Sequence, residues 1–287
     1  VLFALPNMNL QAQKLELDPV SDPSTKEIVL TKNDGTEYIG VILEQDDREV
    51  LLLTKSIGRL YIPKHEIESI SEITSDDYRE GVYMGNNMFA TRYVITTNGL
   101  PMKKGETYAM IQLYGAEFQT AVSKNLTIGA ITTWGVMPLI GSVKASFSAS
   151  DKIHFAVGTL VGSGTWLSPR SYGAIGYGSL TFGDHVRNIS FTAGYAGFSI
   201  YSRNNDTRTT NSSLLLSVAG LVKVSNKITF VGDSFIYPGD NPWALVIPAL
   251  RFKQKAKGEF QFGLGMLVAQ GELLPVPIPM ISWFRKF

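Results

Sequence analysis

The sequence predicts an all-β chain: a transmembrane antiparallel β-barrel of about twelve strands, ten at the fewest, preceded by a small β-barrel domain. Three observations lead there. From Thr107 to Phe287 the chain repeats a stretch of about ten residues that alternates apolar and polar side chains, followed by a turn. A side-chain period of two marks strands with one greasy face. The turns alternate between tight and long, the asymmetry of barrels that cross an outer membrane. The chain ends on an aromatic residue in PMISWFRKF, with Ile281 and Trp283 on the same strand face as Phe287.

The first residues, VLFALPNMNLQAQ, read as the remnant of a secretory signal over 1–13, apolar and then small near Ala12. Residues 14–25, with Pro19 and Pro23, read as a linker. Over residues 1–80 there are 8 Lys and Arg against 16 Asp and Glu, leaving 18 against 9 in the rest of the chain. Two domains in different surroundings account for that split.

Residues 26–73 read as the small domain. EIVLTK, TEYIGVILEQ, EVLLLTK and RLYIP form four strands, with a fifth over 67–73. The hairpin turns fall at Asn33 to Gly35, Asp46 to Arg48 and Ser56 to Gly58. Ile28, Leu30, Tyr38, Val41, Leu43, Leu51, Leu53, Leu60 and Ile62 supply one small core. Asp34, Gly35, Gly40, Asp46, Val50, Leu52, Gly58, Ile62, Pro63 and Ile67 give this segment a pattern that resembles SH3-like or Sm-like small barrels of bacterial envelope proteins. A nucleic-acid role needs a basic face, and the domain is acidic, so that role is rejected. A periplasmic protein or the cell wall is the partner the resemblance implies, through Tyr38, Tyr61 and His65; a plain spacer fits equally well.

After a linker over 74–88, the barrel is read from residue 89 onward. Its strands are expected at 89–97, 107–123, 126–134, 142–149, 153–161, 171–182, 187–199, 213–224, 228–237, 243–253, 259–269 and 276–287. The turns near 124–125, 150–152, 183–186, 225–227 and 254–258 are tight, and the connections between them are longer. On that rule the small domain and the carboxyl terminus both face the periplasm. Ile281, Trp283 and Phe287 resemble the carboxyl-terminal signature read by the barrel-insertion machinery; Arg285 interrupts it. NGLPMKKGETYA and VSKNLTIG, with paired strands joined at the turns Ser150 to Lys152 and Ser225 to Lys227, resemble a group of Gram-negative outer-membrane barrels. That resemblance implies location and fold and carries no activity.

With apolar faces turned to lipid, the lumen receives Glu117, Gln119, Lys144, Ser146, His154, Lys223, Asp233, Arg251, Glu259 and Gln261. Their mixed signs imply pairing across the wall, either as a salt-bridged plug or along a narrow aqueous path. Ala156, Gly158, Gly194, Ala196, Gly263 and Gly265 leave room in the lumen unless a loop or linker folds inside. The leading expectation is a porin-like narrow channel or small-ligand conduit. The alternative is a non-transporting barrel that anchors the small domain as a scaffold.

An outer-membrane enzyme of lipid-hydrolase type comes third. Among His65, His154 and His185 only His154 lies in a strand, with Ser146 or Ser148 as imaginable partners, and no catalytic residue is assigned. There is no cysteine, no metal-ligand spacing and no sign of a cofactor. Beyond lipid, lipopolysaccharide is the expected contact of the loop from Tyr201 to Ser213, through Arg203 and Arg208. Lys253, Lys255 and Lys257 crowd one rim, where the acidic small domain can dock.

Overall fold

The computed structural model describes residues 26–34, 36–73, 78–79, 82–85, 87–135, 138–164, 170–202, 206–254, 257–269, 271–274 and 277–287. The expected signal remnant and first linker, with Gly35, Arg203 and Lys255, lie outside them. The chain divides into two compact units after Ile73.

The first unit is a five-stranded antiparallel sheet. It comprises β1 (Ile28–Lys32), β2 (Glu37–Gln45), β3 (Glu49–Thr54), β4 (Gly58–Pro63) and β5 (Ile67–Glu72), ordered β4-β3-β2-β1-β5. Ile28, Leu30, Val50, Leu52 and Ile62 form its core, with Tyr38, Ile42, Leu60 and Ile67 packed against them. This corrects the expected core. Val41 alternates with Ile42 and so lies off the core face, and a bulge at Leu43, where the β2 register shifts between Ile42 and Glu44, leaves Leu43 out of the core too. In β3 four apolar residues run together, and Val50 and Leu52 point inward while Leu53 is 42% exposed. Such a run hides which face is buried.

The turn between β2 and β3 is held by Asp46, whose Oδ1 accepts the N–H groups of Arg48 and Glu49 at 2.7 Å each. The bond from Glu49, then that from Arg48, holds the carboxyl below its ordinary 3.8. A depressed carboxyl stabilises the folded unit above that ordinary value, and the contribution is lost as pH falls through the folded one. Acidification from about pH 6 to about pH 3 is therefore expected to lower the protection of the Arg48 and Glu49 amides, each rate being taken relative to the intrinsic exchange rate at that pH. In Asp46→Asn protection should already be lower at neutral pH, and its fall on acidification should shrink; an unchanged profile removes Asp46 from the account.

The second unit begins with a small ribbon, β6 (Tyr78–Arg79) and β7 (Val82–Tyr83). Its wall is built from β8 (Thr107–Gln112), β9 (Gly115–Ala121), β10 (Leu126–Thr133), β11 (Leu139–Ser150), β12 (Ile153–Ser163), β13 (Tyr172–Gly183), β14 (Arg187–Ser202), β15 (Thr207–Lys223), β16 (Ile228–Tyr237), β17 (Trp243–Lys253), β18 (Gly258–Ala269) and β20 (Ile278–Lys286). Each strand pairs antiparallel with the next, and β20 returns to β8, where Trp283 faces Ile111. The ladder closes as a twelve-stranded barrel, so no edge is left unpaired. A short β19 (Glu272–Leu273) lies in the last long connection, against β18.

The count of twelve is reached by a different division of the chain. The stretch expected as one strand over 107–123 is a hairpin, β8 and β9, with a tight turn at Leu113 and Tyr114 on the long-connection side. The expected strand over 89–97 is no part of the wall. Elsewhere the tight turns gather at one rim, where the Phe287 N–H donates to the Thr107 carbonyl at 3.0 Å, so both ends of the wall emerge together.

Alternation sorts the side chains. Phe155, Val157 and Val161 of β12 point outward and are exposed, while His154 and Ala156, which alternate with them, are buried. In β18, Phe262 and Leu264 point outward, and Gln261 is fully buried inside. The same pattern around the ladder wraps the barrel in an apolar belt far larger than soluble monomers expose. Polar inside and greasy outside is the arrangement of a transmembrane barrel. Trp283 and Phe287 face outward, as does Arg285, and Ile281 is half-buried on the same face.

Candidate functional site

The lumen is not empty. Residues 87–102 fold inside the barrel as a plug, and their burial shows it: Phe89, Tyr93, Val94, Asn98 and Leu100 are each at most 2% exposed. The plug has its own small architecture. Tyr93 and Thr96 close a tight turn through a 3.0 Å backbone bond, and Arg92 bridges Thr97. The Asn98 side chain donates to the Ala90 carbonyl at 2.7 Å and accepts from the Leu100 N–H at 3.1 Å.

Two apolar clusters seat it. Tyr93 and Val94 pack against Ala219, Leu221, Val231, Ile247, Ala249 and Met280 of the wall. Phe89 and Met102 pack against Tyr108, Met110, Ala121 and Phe284. These inward apolar positions of the wall lie where the plug packs.

The charged residues of the lumen hold the plug by its backbone. Arg251, whose side chain has no exposure, donates to the carbonyls of Phe89 at 2.9 Å, Arg92 at 2.8 Å and Tyr93 at 3.2 Å. Its Nε donates to Gln261 at 2.9 Å and lies 3.8 Å from Glu259, and the Phe284 ring lies 4.5 Å beneath the guanidinium. Asp233 is the counterpart for donors. Its carboxylate accepts the N–H groups of Ile95 and Thr96 at 2.6 and 2.9 Å and the Thr96 hydroxyl at 2.6 Å. Lys144 donates to Thr97 Oγ1 at 3.0 Å and the Asn98 carbonyl at 3.3 Å. Just before the plug, the Gly85 carbonyl accepts from Lys223 at 3.1 Å.

Among the described residues one ion pair joins plug to wall, Arg92 to Glu117 at 2.5 Å, and Tyr108 donates to the same carboxylate at 2.9 Å. Hydrogen bonds to charged groups contribute about 1.5–3 kcal/mol each, and several act together here.

The expected lumen residues Glu117, Lys144, Ser146, His154, Lys223, Asp233, Arg251, Glu259 and Gln261 are all buried inside the barrel, and Gln119 is half-buried. Their partners differ from the expectation of pairing across the wall: most are plug carbonyls and N–H groups, which composition does not display. The room left by small residues is also taken up. A Cβ on Gly158 would lie 2.4 Å from the Tyr177 hydroxyl, and one on Gly99 of the plug would lie 2.7 Å from the His154 carbonyl.

His154 accepts or donates through Nδ1 to Ser148 Oγ at 2.8 Å, near the tight-turn rim. Ser146 Oγ and His154 Nε2 have no hydrogen-bond partner, so no carboxylate orients the imidazole as a triad requires. Among the described residues no cluster of metal-ligating side chains occurs.

Beyond the plug, toward the long connections, a recess of about 150 Å³ remains. The plug forms its floor with Thr91, Arg92 and Ile95 to Thr97, and the inner faces of the wall form its sides. The plug differs from the strand expected over 89–97. The signal was present: apolar residues at 89, 90, 93, 94 and 95 break the period of two.

No protein-family model matches the chain, and no curated protein matches it. Solved structures offer three distant likenesses. The NanC porin is 10% identical, with a TM-score of 0.43 over 63% of this chain and 97% of that one. An outer membrane channel from Pseudomonas putida F1 is 9% identical, with a TM-score of 0.46 over 68% and 98%. OmpT of Vibrio cholerae is 10% identical, with a TM-score of 0.37 over 91% and 94%. The assignment of this chain as a membrane barrel rests on its own closed ladder and apolar belt.

Proposed function

We propose that the protein is an outer-membrane barrel that serves as a conduit for small solutes and is held shut by its own plug. The carrying observation is the lock of Arg251, Asp233 and Lys144 on the plug backbone, with a recess left above it. The apolar belt supports a bilayer setting. We read the rim of tight turns as the periplasmic one, and with it the amino-terminal unit and Phe287, because outer-membrane barrels carry their short turns on that side.

That unit we read as an SH3-like module, supported by its meander and the return of β5 to β1. Its partner is a periplasmic protein or the cell wall, through exposed Tyr61 and His65. Lipid and lipopolysaccharide surround the barrel, and the insertion machinery takes its last strand. The Ser148 and His154 pair is structural, and the protein is not an enzyme.

The filled lumen also favours a second reading, in which the barrel only anchors the small unit. Solute flux into proteoliposomes separates the two. The conduit reading expects slow flux through the wild type, and flux through Thr96→Cys/Asp233→Cys that stops on oxidation and returns on reduction. The chain has no native cysteine to interfere. Absence of flux for every solute in both proteins leaves the anchor.

A further inference from the structure

We infer that the recess above the plug binds a small organic monoanion with an apolar body, a carboxylate carrying one ring or a short acyl chain. The sides of the recess include Leu160, Ile175, Leu215 and Phe235, and at its floor Arg92 of the plug stands with Lys144 and Glu117 of the wall. The charges there do not cancel. Glu117 is already engaged by Arg92 at 2.5 Å and Tyr108 at 2.9 Å.

Lys144 is 7% exposed and spends two hydrogen bonds on neutral acceptors, Thr97 Oγ1 and the Asn98 carbonyl. Among the described residues it has no carboxylate within ion-pair distance, and its ammonium carries three donors. A buried cation with neutral partners is costly to keep unless an anion joins it.

A second observation points the same way. Arg92 Nε and Ser217 Oγ, on residues that line the recess and are 7% and 4% exposed, have no hydrogen-bond partner. The volume of about 150 Å³ suits a single six-membered ring. Apolar sides over a floor with one net positive charge select an anionic head on an apolar body against both a cation and a neutral isostere.

The inference rests on the conduit reading only in naming this molecule as cargo, since binding can be measured with the plug in place. Titration calorimetry of the detergent-solubilised full chain tests it with benzoate, hexanoate, benzyl alcohol and benzylammonium. Benzoate and hexanoate are expected to saturate one site, benzyl alcohol to bind at least tenfold more weakly, and benzylammonium not to bind.

Lys144→Met should weaken benzoate at least tenfold and benzyl alcohol by much less, so that the preference for the anion is lost. Leu215→Trp fills the recess from the wall, touches none of the plug's hydrogen bonds and should abolish binding. Equal affinity for benzoate and benzyl alcohol, or full benzoate binding to Leu215→Trp, overturns the proposal. Flux without benzoate binding sinks this site alone, and binding without flux sinks the conduit alone.

Discussion

Arg251→Met is expected to release the plug and turn a barrel that passes solute only slowly into one that conducts in steady steps. The side chain is wholly buried and makes three bonds to plug carbonyls and one to Gln261. Methionine keeps the contact with Phe284 but provides no donor. The carbonyls of Phe89, Arg92 and Tyr93 lose the guanidinium, and Glu259 loses the cation 3.8 Å away. Removing one partner of a buried charged pair costs about 3–5 kcal/mol. At 1.4 kcal/mol per tenfold, that shifts the plug equilibrium about a hundredfold to a thousandfold or more toward release.

The wall should survive, because β17 and β18 are joined by backbone bonds independent of this side chain. Planar-bilayer recordings should show steady single-channel steps absent from the wild type. The amides of Ile95 and Thr96, held by Asp233, should exchange faster. Arg251→Lys restores the charge without the fork and should fall between the two. A silent Arg251→Met with protected plug amides would falsify the lock.

An interaction is legible in the sequence only where it leaves a mark in the residue pattern. Wall strands write themselves as a period of two, because one face meets lipid and the other does not, so Phe262 and Gln261 could be sorted by position alone. Lumen charges were visible for the same reason. Their purpose was not, since Arg251 and Lys144 bind carbonyls that every residue possesses.

The plug has no period: it packs on several sides at once, as Phe89, Tyr93 and Val94 do, and such a segment looks like a poor strand. The β8 and β9 hairpin was concealed by an apolar turn, Leu113 and Tyr114, in which only the following Gly115 interrupts the run. In the first unit the apolar stretch of β3 fits either face, and the bulge at Leu43 moves the register by a residue that no turn signal announces. Alternation thus reports the environment of a strand and stays silent on what occupies the space it encloses.

The belt itself makes the second large prediction. Val157 lies near the middle of β12, points outward and is 55% exposed, with Gly178 and Ala145 beside it on the neighbouring strands. In a soluble protein an arginine at such an exposed site would change stability by no more than about 0.5 kcal/mol. Facing hydrocarbon near the bilayer midplane, the same change costs about 2–4 kcal/mol, whereas at the interface it costs about 0–1 kcal/mol.

Ile153 supplies the control, since it also points outward but starts the strand at the tight-turn rim, where an arginine can snorkel to water. Reversible unfolding from phospholipid vesicles should therefore separate Val157→Arg from Ile153→Arg by at least about 1 kcal/mol, with the central substitution the worse. In detergent micelles, which deform around a charge more readily than a bilayer, the difference should narrow. Equal and small losses at both positions in vesicles would mean that water, not lipid, covers the outward faces.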